Sequence, residues 1–260
     1  MGTFASAGAS IRCKKIGITV SNTVKSPNEK GNGFIWAVVG IVVIAAVVVG
    51  YIVINGQNSK REARIDEVAF STEWDGNKIT LKGEGADEST PVADLYEDFS
   101  CPHCATLAEA DRQDMREAVS NGKLVVNIRP LVFMDRGQKD GNSHRGLAAA
   151  LAAVASQEDA DEGLYWNLRN YIFESQADIY STNWDYEKYA EAAKELGASE
   201  EVASAIREGK YEKQVEEIGA ANAADLEKTE AGVSSPRIFI NGEEKPLDND
   251  LEWVNKYKAE

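Results

Sequence analysis

The sequence predicts an α/β domain interrupted by an α-helical insertion and preceded by a single transmembrane helix. Three observations carry this. Residues 33–54, GFIWAVVGIVVIAAVVVGYIVI, run 22 residues without a charge, and about 20 apolar helical residues span a bilayer core. Beyond them, β-branched runs and helical periods alternate, first as strand–helix–strand and at the end as strand–hairpin–helix. Between these halves the stretch 143–226 is helical in pattern throughout.

Residues 1–32 read as a short cytoplasmic tail, with Arg12, Lys14, Lys15, Lys25 and Lys30 against Glu29 alone, a net of +4. The apolar run 33–54 is longer than the 7–15 residues typical of a cleaved signal peptide, and no Ala-x-Ala site follows it. An uncleaved signal anchor is expected. Flanking charge does not settle orientation, since Lys25 and Lys30 on one side face Lys60, Arg61 and Arg64 on the other. The short tail and large following domain predict the N-terminus inside and the domain outside. The chain carries a net charge of −15, of which residues 55–260 hold −19. Such a surface repels nucleic-acid phosphates, so sequence-independent DNA or RNA binding is excluded.

Residues 55–65 form a polar linker. The first part of the α/β domain covers 66–140. VAFSTEWDGNKITLKG (68–83) holds two strand-like runs about Asp75-Gly76, a hairpin signal. PVADLYEDF (91–99) is a strand. From Pro102 to about Val119 the pattern turns helical, with Cys104, Leu107, Ala108, Met115 and Val119 on one face. KLVVNIRPLVF (123–133) is a β-branched, buried strand. The helical insertion, 141–226, is broken at Gly163, Gly197 and Gly209. The second part, 227–260, holds the strand PRIFI, a hairpin turn at Asn241-Gly242 and a last short helix in EWVNKY (252–257).

The chemistry sits in DFSCPHCATL (98–107), which holds two of the three cysteines. A zinc site needs four ligands. The domain after the span offers Cys101, Cys104, His103 and His144, with His103 wedged between the thiols, so no metal is expected. A staple closing two residues constrains the unfolded chain little. Redox chemistry is the stronger reading. Pro102 suits the first helical position, which makes Cys101 the N-cap. Its sulfur then faces free N–H groups and the positive end of the helix dipole, which lowers its pKa. His103, if protonated, adds a positive charge. Cys104 lies one turn on, on the apolar face, less exposed and with a higher pKa. Cys101 is expected to be the exposed thiol that exchanges, and Cys104 the one that resolves. No organic cofactor is required. Disulfides persist outside the cytoplasm, which fits a domain on that side. Cys13, before the span, has no visible partner.

DFSCPHC after a strand, the helical block 141–226 and VSSPRIFING after it resemble the DsbA-like thiol-disulfide oxidoreductases of the thioredoxin superfamily, over about residues 66–260. With the anchor, the chain looks like the membrane-anchored actinobacterial, MdbA-like members. The resemblance implies a thioredoxin-like fold with an inserted helical domain. It implies a cis Ser235–Pro236 bond beside Cys101, and a backbone near Ser235 that pairs with extended substrate. It further implies reduced, unfolded exported proteins as substrates, a quinone-linked membrane reoxidase of the DsbB or vitamin-K-epoxide-reductase kind, and a monomer. The alternatives are an envelope reductase or isomerase, or a non-catalytic chaperone. Two positions depart from the family pattern. Ser235 stands where relatives carry Val or Thr. Leu95 stands where many carry a buried carboxylate six residues before the first Cys. Nearby Glu97 and Asp98 should point to opposite faces and read as solvated or structural.

Overall fold

The computed structural model describes residues 65–155, 163–247 and 253–257. The predicted span 33–54, the tail before it and linker residues 55–64 lie outside the described residues. No helix among the described residues is long and apolar enough to cross a membrane.

Strands β1 (Phe70–Asp75) and β2 (Lys78–Gly83) pair antiparallel. Their two-residue turn, Gly76-Asn77, needs a positive φ, and Gly76 supplies it at +59°. Strand β3 (Val92–Asp98) leads into α1 (Pro102–Ser120) and then β4 (Val125–Leu131), which lies parallel to β3. A parallel neighbour needs a crossover of a dozen or more residues, and α1 provides it. At the far end, β5 (Arg237–Ile240) pairs antiparallel with β3 and turns at Asn241-Gly242 into β6 (Glu243–Lys245). Asn241 and Gly242 both take positive φ, 50° and 84°. The result is one mixed sheet in the order β1-β2-β4-β3-β5-β6. This α/β arrangement is thioredoxin-like. Its central strand β3 ends where the two cysteines begin.

Between β4 and β5 the described residues form a 3₁₀ turn (Phe133–Asp135) and six helices. They are α2 (Asn142–Ala155), α3 (Leu164–Glu174), α4 (Gln176–Thr182), α5 (Tyr186–Glu195), α6 (Glu200–Arg207) and α7 (Glu212–Leu226). The starts have local causes. Asp185 accepts from Lys188 N and Ser199 from Val202 N, capping α5 and α6. The Asp135 carboxylate accepts from Ser143 N and His144 N in the first turn of α2. In EWVNKY, where a last short helix is expected, the described residues form a 3₁₀ helix, Asn255–Tyr257, with a bond from Tyr257 N to Val254 O.

Strand alternation divides the core. Ala93 and Leu95 lie in the main cluster with Leu107 and Met115 of α1. Tyr96, from the other face, joins Leu131 and Leu226 in a smaller one. Glu97 points into the main side and is buried, not solvated. Its carboxylate takes Arg169 Nε at 2.8 Å and a terminal nitrogen at 2.5 Å. Arg169 is fully buried, with its guanidinium carbon 5.8 Å from the Trp166 ring centre and 5.2 Å from that of Phe173. Asp111, on the apolar face of α1, accepts from Trp253 Nε1 at 2.8 Å, and burial pushes its carboxyl up to about 7.

A buried bidentate pair is costly to break from one side. Arg169→Met is expected to lower stability to urea by about 3–5 kcal/mol. Adding Glu97→Leu should return a large part of it. A double variant no more stable than the single one would show that the cost is lost packing around Arg169 and not a stranded charge.

Candidate active site

Three segments build the site: the end of β3, the start of α1 and the loop before β5. After Asp98 the chain turns, held by Cys101 N donating to Asp98 O at 2.9 Å. Cys101 is the N-cap of α1 with φ −83° and ψ 118°, and Pro102 opens the helix. The first helical bond, Ala105 N to Cys101 O, is 3.2 Å. Cys101 and Cys104 are both free thiols. Pro102 and His103 are exposed at the lip.

The two thiols differ sharply. The Cys104 thiol donates toward Cys101 and, with smaller help from the Ser235 hydroxyl and the N–H groups of Cys104 and His103, pulls the Cys101 thiol down to about 5 against the effect of burial. Cys104 is pushed well up, by burial first and then by its neighbour Cys101. At neutral pH the pair is one thiolate and one thiol. In the dithiol the Ser235 hydroxyl is buried without a hydrogen bond. Turned toward either sulfur it favours the thiolate.

Cys101 corrects the expectation of an exposed thiol: it is 4% exposed, hardly more than Cys104 at 2%. The cause is the loop before β5. The Ser235–Pro236 bond is cis, and the Cys101 sulfur, when it carries its proton, donates to Ser235 O at 3.4 Å. A neighbour 134 residues away in sequence leaves no mark on the local pattern.

Leu95 is fully buried in the main core, so no carboxylate occupies its position. Asp98, three residues before Cys101, is also fully buried, so of the expected alternatives, solvated or structural, it is not the solvated one. It accepts from Ser143 Oγ at 2.6 Å, Ser100 N at 2.9 Å and Met134 N at 3.1 Å. Burial outweighs these bonds and raises its carboxyl to about 6, with Asp135 adding repulsion. Asp135 in turn pairs with His144 Nδ1 at 2.7 Å. Among the described residues no cluster of three or more His, Cys, Asp or Glu could hold a metal ion.

Sequence reasoning did not single out Gln176 and Tyr180 of α4. Gln176 Nε2 donates to Phe99 O at 2.7 Å and Cys101 O at 3.0 Å, and the Tyr180 hydroxyl donates to Ser100 O. A nucleophilic thiolate with a second thiol one turn away can form and break disulfides, carrying two electrons between partners.

A family model described as Thioredoxin matches residues 83–256. Among solved structures, the chain is similar to the MdbA protein of Corynebacterium diphtheriae, a thiol-disulfide oxidoreductase. Identity is 40% over 77% of this chain and 100% of that one, with a TM-score of 0.70. The MdbA protein of Corynebacterium matruchotii gives 32% identity over 78% and 98%, again at 0.70. Reduced DsbA of Mycobacterium tuberculosis, at 20% identity over 70% and 98% and a TM-score of 0.55, shares the fold. No curated protein matches the chain.

Asp98 yields a pH prediction. A carboxyl with a higher pKa in the folded than in the unfolded state, about 6 against 3.8, binds its proton more tightly when folded. Its contribution to stability is present below about 4 and falls as pH rises toward 6. The stability of the wild type minus that of Asp98→Asn should therefore decline by up to about 3 kcal/mol between pH 4 and 7. A difference independent of pH, read from urea unfolding, would show that the three donors fully offset burial.

Proposed function

The chain belongs to the thioredoxin family and is a thiol-disulfide oxidoreductase of the MdbA and DsbA type, and from that premise we propose that it is a membrane-anchored, extracytoplasmic oxidase that introduces disulfide bonds into exported proteins. The observation that supports this best is the asymmetry of the pair: a Cys101 thiol held at about 5 beside a Cys104 thiol held well above its usual value. Stabilising one thiolate favours the reduced enzyme, so its disulfide is a strong oxidant.

In the proposed cycle the enzyme starts with a Cys101–Cys104 disulfide. A substrate thiolate attacks the Cys101 sulfur. The enzyme's S–S bond breaks, a mixed disulfide forms, and the electron pair leaves on Cys104, which takes up a proton. A second substrate thiolate then attacks the substrate sulfur of the mixed disulfide. Cys101 leaves as the stabilised thiolate, a good leaving group because its pKa is low. The substrate departs with a disulfide and the enzyme keeps two electrons. Pro102 starts the helix whose N–H groups face the sulfur, and His103 tunes the potential from the exposed lip. Ser235 and Pro236 take the extended substrate segment beside Cys101, by strand-like backbone pairing. A quinone-linked membrane protein reoxidises the pair. The uncharged run 33–54 supports the anchor, and the persistence of disulfides outside the cytoplasm supports the side.

Full-length protein in detergent should oxidise a reduced test protein with two cysteines. Cys101→Ala should abolish this, and Cys104→Ala, whose lone Cys101 thiolate can attack a disulfide but has no second thiol to resolve the product, should accumulate mixed disulfides with the oxidised test protein on non-reducing gels. Activity surviving Cys101→Ala would sink the mechanism. The reduction potential against glutathione should lie nearer about −120 mV than about −270 mV; a value at the lower end would make the protein a reductase.

Protease added to intact cells should digest the domain after residue 55 and spare the N-terminal tail. A protected domain would place it in the cytoplasm.

A further inference from the structure

The sheet ladder ends just before the redox turn. β3 pairs with β4 as far as Asp98 and with β5 only as far as Tyr96. Phe99 and Ser100 then run on toward Cys101 with both residues buried. Buried carbonyls need donors, and past the ladder no strand supplies them.

One face of α4 does. Gln176 and Tyr180 are four residues apart, so their side chains project from the same side of the helix. Gln176 Nε2 bridges Phe99 O at 2.7 Å and Cys101 O at 3.0 Å. The Tyr180 hydroxyl takes Ser100 O between them. Three consecutive carbonyls, those of the redox cysteine and its two predecessors, are bound by two side chains of one short helix in the inserted block.

The electrostatic consequence is specific to this turn. Burial raises the Tyr180 hydroxyl and the Cys101 charge adds to it, so the two groups sense each other. Cys101 O keeps its helical bond from Ala105 N at 3.2 Å. Without α4 the Phe99 and Ser100 carbonyls would turn toward solvent for partners, carrying the sulfur off the N–H groups of His103 and Cys104 that help stabilise its anion. The titratable groups around the turn are Cys104 and His103 on α1, Asp98 on β3 and Tyr180 on α4, with Asp135 acting on Asp98 and Tyr180 from behind.

We propose that α4 is a clamp on the redox turn, with Gln176 and Tyr180 as positioning residues that hold Cys101 in the orientation its exchange reaction requires. The inference rests on the thiol-disulfide exchange proposed above. It extends that reading by giving the helical insertion a part in the chemistry at Cys101.

The test is to titrate Cys101 by ultraviolet thiolate absorbance in full-length protein in detergent, and to measure its equilibrium with glutathione. Gln176→Ala with Tyr180→Phe should raise the Cys101 midpoint by about one pH unit, the size of a hydrogen bond's net worth. The glutathione equilibrium should shift about tenfold toward the enzyme disulfide, or about 30 mV. Gln176→Glu keeps the shape but replaces the donor with a carboxylate, and should raise the midpoint further. Tyr180→Phe removes only a hydroxyl and decides the matter alone if the double variant does not fold: its midpoint should rise by a fraction of a unit. An unchanged midpoint and equilibrium, whatever the loss of thermal stability, would reduce α4 to a structural tie and overturn the proposal. A wild-type protein that fails to exchange with glutathione would instead overturn the underlying redox reading, and this inference with it.

Discussion

A buried sulfur that must carry negative charge is the constraint around which this fold is arranged. Cys101 has almost no contact with solvent, so water cannot stabilise its anion. The protein supplies the stabilisation instead: the start of α1, the thiol of Cys104 and the hydroxyl of Ser235. The first two come from the first turn of α1, the third from the loop before β5. β3 delivers the cysteine at its end, α1 begins there because Pro102 suits a first helical position, and β5 brings the loop that closes over it. The same enclosure has the opposite effect on Cys104, where burial dominates. One environment thus makes two unlike groups from identical residues.

Three carboxyl groups are buried near this machinery, and each is accommodated differently. Glu97 is matched by a full cation, Arg169, packed between aromatic rings. Asp98 has no cation and relies on three neutral donors. Asp111 has the Trp253 indole on one oxygen and nothing on the other. Burial raises Asp98 to about 6, and raises Asp111 to about 7 although the Arg169 charge pulls the other way. Adjacent strand residues, Glu97 and Asp98, meet these different fates because alternation sends them to opposite sides of the sheet.

Where structure follows from neighbours in sequence, it was legible. The β-branched runs gave the strands, the Gly76 and Asn241-Gly242 turns gave both hairpins, and Pro102 placed Cys101 at a helix cap. What depends on distant packing was not. The burial of Cys101 is imposed by a loop from the other end of the domain. Gln176 and Tyr180 lie in QADIYST, a short helix whose pattern carries no trace of the turn it holds. Two signals were present and unread. The apolar face of α1 steps through 104, 107, 108, 115 and 119, and the gap at 111 is filled by an acid. Arg169 is the lone cation among the aromatic residues of LYWNLRNYIF. A charge set into a buried face is the mark of an internal partner. Of the two readings of Glu97 and Asp98, solvated or structural, the buried and bonded side chains fit the structural one: a strand buried on both faces can hold an acid when a partner is packed against it.

The contact between Cys101 and Ser235 also sets an order of events. A growing chain presents both thiols long before the loop that covers them, since 134 residues separate the two ends of that contact. Until the whole insertion has been made, Cys101 lacks its cover and the Ser235 hydroxyl, and has only the groups of its own helix start to stabilise its anion. Full reactivity is therefore coupled to completion: the segment after the insertion adds the cover and a donor that the earlier half of the domain lacks.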